Sequence, residues 1–126
     1  MVLPYGRQVV GDDDIAEVVR VLKSDYLTTG PEVPAFEAAF AAYVGAPHAV
    51  ACSNGTAALH IIAMALGLAP GDQVIVPTIS FVATANAVRY CGADVVFADV
   101  DPDSGHATAA TIEEALARTD RARLKA

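Results

Sequence analysis

The chain has 126 residues, 54% of them hydrophobic and 18% charged, with a formal net charge of −7. That acidity excludes non-specific binding to a nucleic-acid backbone, and the most apolar stretch, 57–68, is too short and too interrupted by His60 and Gly67 to cross a bilayer. The apolar share is high for one small domain and suits a segment buried on several sides within a larger one, so the chain reads as incomplete.

Residues 1–11 contain Pro4, Gly6 and Arg7 and lack the apolar run of a signal peptide. Cys52 and Cys91 lie far apart, match no metal spacing, and read as buried thiols of a cytoplasmic protein. Ile15, Val18, Val19 and Leu22 recur at helical spacing after Asp12, Asp13 and Asp14, with Asp14 and Glu17 as a capping-box-like pair. The turn-rich segment SDYLTTGP, 24–31, breaks that pattern. A second helix is expected from about Pro34, with Phe36, Ala39, Phe40 and Tyr43 on one face and Gly45 as its stop.

Residues 49–52 read as a short strand, followed by Ser53-Asn54-Gly55-Thr56 and a helix to Leu66 that Gly67 ends. A strand over 73–76, a helix from the 77–80 loop to about Tyr90, and a strand over 94–98 follow. Thr111 and Glu114 suit the cap of a final helix. Strand and helix alternating at this spacing predict an α/β fold with a mainly parallel sheet and flanking helices. Leu59, Ile61, Ile62, Met64 and Leu66 make the helix after Thr56 apolar almost all round, so burial on most sides is expected. Arg118, Arg121, Arg123 and Lys125 crowd the last nine positions and read as a solvated helix end and loop.

The tetrad 53–56 falls between a strand end and a helix start, where open α/β sheets bind ligands and where free backbone N–H groups suit a phosphate. Gly55 lets the backbone approach an anion, and the Thr56 hydroxyl can add a hydrogen bond. The same four residue types also make ordinary turns and caps. Neither a Walker A loop nor a dinucleotide fingerprint is present. Phe81 follows a second strand end and could stack on a flat heterocycle in the same crevice, or fill the core. No metal site is expected: Asp99, Asp101 and Asp103 begin like a calcium loop, but Ser104 holds the glycine position and Ala110 the glutamate position. His48, His60 and His106 are too scattered to form a ligand set, and Cys52 has no partner base to make it a nucleophile.

Taken in order, PYGRQ (4–8), LTTGP (27–31), FEAAFAAYVGA (36–46), SNGTAAL (53–59), LGLAPGDQVIVP (66–77), SFVATANAV (80–88) and YCGADVVFADVDP (90–102) resemble the DegT/DnrJ/StrS family of sugar aminotransferases. That resemblance implies the aspartate-aminotransferase-like (type I) fold and pyridoxal 5′-phosphate as cofactor. Residues 1–31 would be an N-terminal arm and first helix, and 32–126 an incomplete large, cofactor-binding domain. Gly55, Thr56 and Ala57 match the turn whose backbone N–H groups hold the cofactor phosphate, and Phe81 matches the aromatic that stacks on its ring. Tyr5, Thr28, Thr29 and Gly30 fall where relatives approach the substrate and the dimer interface. PYGRQ, YCGA and LTTGP are most similar to the branch of the pseudaminic acid pathway, which aminates a UDP-linked 4-keto-6-deoxy-N-acetylhexosamine, usually with glutamate as amino donor. The family works as a cytoplasmic homodimer on a nucleotide-linked sugar, and its cofactor-bonding lysine lies well downstream of such a segment. Only Lys23 and Lys125 occur here and neither matches, so no catalytic residue is expected in the chain and the 126 residues alone are expected to be inactive. The alternatives are a small non-enzymatic α/β module binding a phosphorylated ligand or a protein, and a sugar dehydratase of the same fold.

Overall fold

The structure, a computed structural model, describes Gly6 and residues 8–126, so Tyr5 lies outside the described residues. The chain forms two compact units, Met1–Ala51 and Cys52–Ala126.

In the first unit, α1 spans Asp12–Leu22 and α2 spans Glu32–Val44. Gly11 begins α1, and its N–H donates to Asp14 Oδ2 at 2.8 Å. The cap therefore pairs Asp14 with Gly11 and not with Glu17. Glu17 instead accepts from Arg20 at 2.8 Å, and the same guanidinium reaches Glu32 at 2.8 Å, tying α1 to the start of α2. The Arg20 hydrogen bond holds the Glu32 carboxyl below the usual carboxylate range. The apolar stripe of α1 is present, but none of its residues is buried.

Helix α2 starts two residues before Pro34, which sits in the first turn, where a missing N–H costs no helical bond. Of its expected face, Phe36 and Phe40 stack with centroids 5.9 Å apart, while the buried position is Ala41. Residues 49–52 do not form the expected strand. A strand exists only through a neighbour's ladder, and the Ala51 N–H is held by Glu37 Oε1 at 2.7 Å instead.

The second unit runs α3 Gly55–Ala65, β1 Gln73–Pro77, α4 Ala83–Tyr90, β2 Asp94–Ala98 and α5 Ala109–Leu116. Strands β1 and β2 are parallel and joined through α4, in a register from Gln73↔Asp94 to Pro77↔Ala98. On the other edge of β1 the end of the chain begins a ladder: Gln73 N–H donates to Arg123 O at 2.7 Å and Ile75 N–H to Ala126 O at 2.8 Å. Val74 and Val76 point from β1 into a core with Val88 and Ala93, against which Leu68, Ala85 and Val95 pack. Helix α4 contacts both strands and α3, burying Ala83, Ala87 and Val88.

Helix α3 departs from its expected burial. Only Ala63 is buried, and Met64 remains 62% exposed, because α4 is the one element of this unit packed against it. The cap of α5 is reciprocal between Thr108 and Thr111, whose hydroxyls accept each other's N–H at 3.3 and 3.0 Å, so the box lies three residues before the expected Thr111–Glu114 pair. Cys52 is exposed and Cys91 half-buried, correcting the expectation of two buried thiols. Two of the crowded basic residues serve the unit itself: Arg118 donates to Phe97 O at 2.6 Å, and Arg123 to Asp94 at 2.6 Å.

Gly92 ends α4 with φ +78°, and a Cβ there would stand 2.8 Å from Pro70 Cγ. Gly92→Ala should therefore cost about 1–3 kcal/mol in urea unfolding, more than Gly67→Ala, where φ is +70° but the space is open. Asp94 accepts from Arg123 and, at 2.8 Å, from Arg89, and these hydrogen bonds hold its carboxyl below the usual carboxylate range. A folded-state pKa below the unfolded one stabilises at neutral pH and ceases to do so as pH falls through the folded value. Asp94→Asn should lower the urea midpoint at neutral pH, and the gap to the parent should close in strong acid.

Candidate functional site

Asn54 fixes where α3 begins. Its backbone is extended, its side-chain Oδ1 accepts the Ala57 N–H at 2.9 Å, and its carbonyl accepts the Ala58 N–H at 3.1 Å. The first N–H groups of a helix have no partner inside it, and the Asn54 side chain satisfies the third position of the first turn. The amides of Gly55 and Thr56 remain at the open end, with the partial positive charge that helix dipoles concentrate there. The amide of Ala57, which the family resemblance would assign to the same anion, is held by this cap. The sequence places Asn54 in the candidate tetrad and allows its residue type as a cap, without assigning it the Ala57 amide.

A Cβ at Gly55 would meet nothing within 4 Å, so the space above that turn is open to an incoming group. It belongs to a hollow of about 490 Å³ lined by Gly55, Thr56, Ala58, Leu59, Phe81 and Ala83. The α3 turn and the aromatic before α4 thus border one space. His60 and Tyr90, edge to face at 5.3 Å, link α3 to α4 and help fix that spacing. Phe81 is 73% exposed among the described residues.

Phe81 stands on the loop joining β1 to α4. The Thr78 N–H donates to Ala98 O at 2.9 Å, and the Thr78 hydroxyl donates to Asp99 Oδ1 at 3.3 Å, so the loop leaves the sheet anchored to the end of β2. Past Phe81, the Thr84 N–H donates to Phe81 O at 3.0 Å and starts α4. Phe81 thus follows the parallel-sheet rule that sites form at the carboxyl ends of strands, whereas the Gly55 turn is preceded by loop and not by a strand.

Thr28, Thr29 and Gly30 belong to the first unit, between α1 and α2. Thr29 has φ +53°, a left-handed conformation uncommon for a β-branched residue, and its hydroxyl donates to Thr28 O at 2.7 Å. A side chain at Gly30 would collide with Tyr26 Cβ at 2.7 Å. Asp101 closes a local turn, accepting the Ser104 N–H at 2.8 Å, and that bond keeps its carboxyl below the usual range. Among the described residues no three His, Cys, Asp or Glu side chains are grouped to hold a metal, and no helix is long and apolar enough to cross a membrane. Lys125 has its backbone beside Gln73, at the amino end of β1, whereas Phe81 follows the carboxyl end.

Asn54→Ala should destabilise the fold by about 1 kcal/mol in urea unfolding, with Asn54→Ser recovering most of the loss, because either side chain can hold the Ala57 amide.

Solved structures similar to the chain include sugar aminotransferases and their relatives. A protein described as a sugar aminotransferase, Spr1654 from Streptococcus pneumoniae, was determined in its PLP and PMP forms; it is 30% identical, with a TM-score of 0.85 over 97% of this chain and 30% of its own. An aminotransferase from Psychrobacter cryohalolentis is 34% identical, with a TM-score of 0.79 over 96% of this chain and 30% of its own. A 3-amino-5-hydroxybenzoic acid synthase is 35% identical, with a TM-score of 0.79 over 97% of this chain and 31% of its own. The chain thus spans about 30% of the length of the structures it matches. The family model for DegT/DnrJ/EryC1/StrS aminotransferases matches residues 8–125, and the chain belongs to that family.

Proposed function

We propose that this chain supplies the phosphate-holding turn and the ring-covering aromatic of a pyridoxal-phosphate-dependent aminotransferase that acts on a nucleotide-linked keto-deoxy sugar. The observation that carries the reading is the single hollow shared by Gly55, Thr56 and Phe81. A phosphorylated heterocycle needs donors for a dianion at one end and an apolar face for the ring. These residues fit both needs: two open-ended amides beside a glycine with free space above it, and an exposed aromatic across from them. When bound, the cofactor supplies an electron sink for breaking bonds at the amino-bearing carbon.

The chain's own residues hold and orient. Amides of Gly55 and Thr56, with the Thr56 hydroxyl, bind the phosphate at the positive end of α3. Ala57 follows in the same turn, its amide reaching the anion only by leaving Asn54. Phe81 covers one face of the ring and keeps water from it. Residues 32–126 belong to the cofactor-binding domain, after an arm and first helix over 1–31. A UDP-linked 4-keto-6-deoxy-N-acetylhexosamine as acceptor and glutamate as donor follow from the likeness of PYGRQ, LTTGP and YCGA to that branch. The likeness extends to Tyr5, Thr28, Thr29 and Gly30 as substrate or interface residues of a cytoplasmic homodimer.

Pyridoxamine 5′-phosphate, which forms no Schiff base with lysine, tests the site by amide NMR of the 126-residue chain. It should shift the Gly55 and Thr56 amides together with the Phe81 ring, whereas inorganic phosphate should shift the amides alone. Amides unmoved by either compound would end the reading. Incubated with a keto sugar nucleotide, glutamate and pyridoxal phosphate, the same 126 residues should give no turnover, since neither lysine matches the family's cofactor-bonding position; amino-sugar formation would overturn that part.

A further inference from the structure

Phe81 borders two hollows, the one it shares with Gly55 and a second of about 240 Å³ that Thr78, Ser80, Thr84 and Phe97 also line. Phe81 is the residue common to the two linings. At 73% exposure, its direction depends on the loop that carries it. That loop is anchored before Phe81 by Thr78 on Ala98 and Asp99. On either side of it, the Ser80 and Thr84 hydroxyls lie 2.8 Å apart.

Ser and Thr at a helix start ordinarily satisfy a free backbone amide. These two bond each other, and α4 has no side-chain cap at its first residue. The pair closes a five-residue ring of chain around Phe81, one residue before it and three after. Resting on the cofactor reading above, we propose that Ser80 and Thr84 are positioning residues: their hydroxyl clasp holds the Phe81 ring upright against the bound heterocycle.

Titration of the 126-residue chain with pyridoxamine 5′-phosphate and, separately, with inorganic phosphate tests the clasp, read by NMR at the Gly55 and Thr56 amides. In the Ser80→Ala/Thr84→Val variant, affinity for pyridoxamine 5′-phosphate should fall about three- to tenfold, the loss expected for one neutral hydrogen bond, and the ring-current shift from Phe81 should shrink. Phosphate affinity should stay unchanged, which a general loss of structure would not allow. Thr84→Ser, which keeps a hydroxyl, should bind as the parent does. Parental binding by the double variant while Phe81→Leu weakens it would overturn the clasp alone. Unchanged binding by Phe81→Leu would overturn the cofactor reading and the clasp with it.

Discussion

The close seating of α4 between the sheet and α3 is the constraint on which the candidate site depends. Ala83 and Ala87 lie one turn apart, each 4% exposed, and their small side chains let the helix backbone approach its neighbours. A helix held at that distance carries Phe81, two residues before its start, to the edge of the Gly55 turn. The same seating buries Val88 against Val74 and Val76, so core packing and site geometry are set by one helix. A bulkier residue at position 83 or 87 would have to lift α4, and a shift of an ångström at its amino end would alter the width of the hollow.

Electrostatics operate locally in a chain of net charge −7. A dianion approaching such a surface meets repulsion at long range, so attraction must come from oriented dipoles at contact distance. The turn before α3 meets that requirement without a lysine: the cap sits on one amide and leaves two free. Asp94 illustrates the opposite case, with arginines from α4 and from the end of the chain converging on one carboxylate at the start of β2. There the charges hold the fold together, at the end of the strands away from the hollow.

How much of this could be read from sequence follows from the range of each interaction. Helices were legible because Ile15 to Leu22 and the glycines at 45, 67 and 92 signal within a few residues. Caps were legible only approximately: an i, i+3 spacing fits Asp14–Glu17 as well as Gly11–Asp14, and Thr111–Glu114 as well as Thr108–Thr111, and only geometry chooses. Residues 49–52 have strand composition but no ladder, because pairing is a property of two segments. Burial of α3 depends on what covers it, which its own composition does not contain. Within the site, the glycine and the aromatic were visible as residue types, whereas the Asn54 hold on Ala57 and the contact between Ser80 and Thr84 required coordinates.

The alanine-rich core has a thermodynamic consequence. Among the described residues, every buried apolar residue apart from Val74, Val76 and Val88 is alanine, while Ile62, Met64 and Leu66 are more than half exposed. Unfolding then hydrates less new hydrocarbon than a 54% hydrophobic composition suggests, and the heat-capacity increment scales with that hydrocarbon. The curve of stability against temperature is correspondingly flat, with a broad melting transition and a weak response to denaturant.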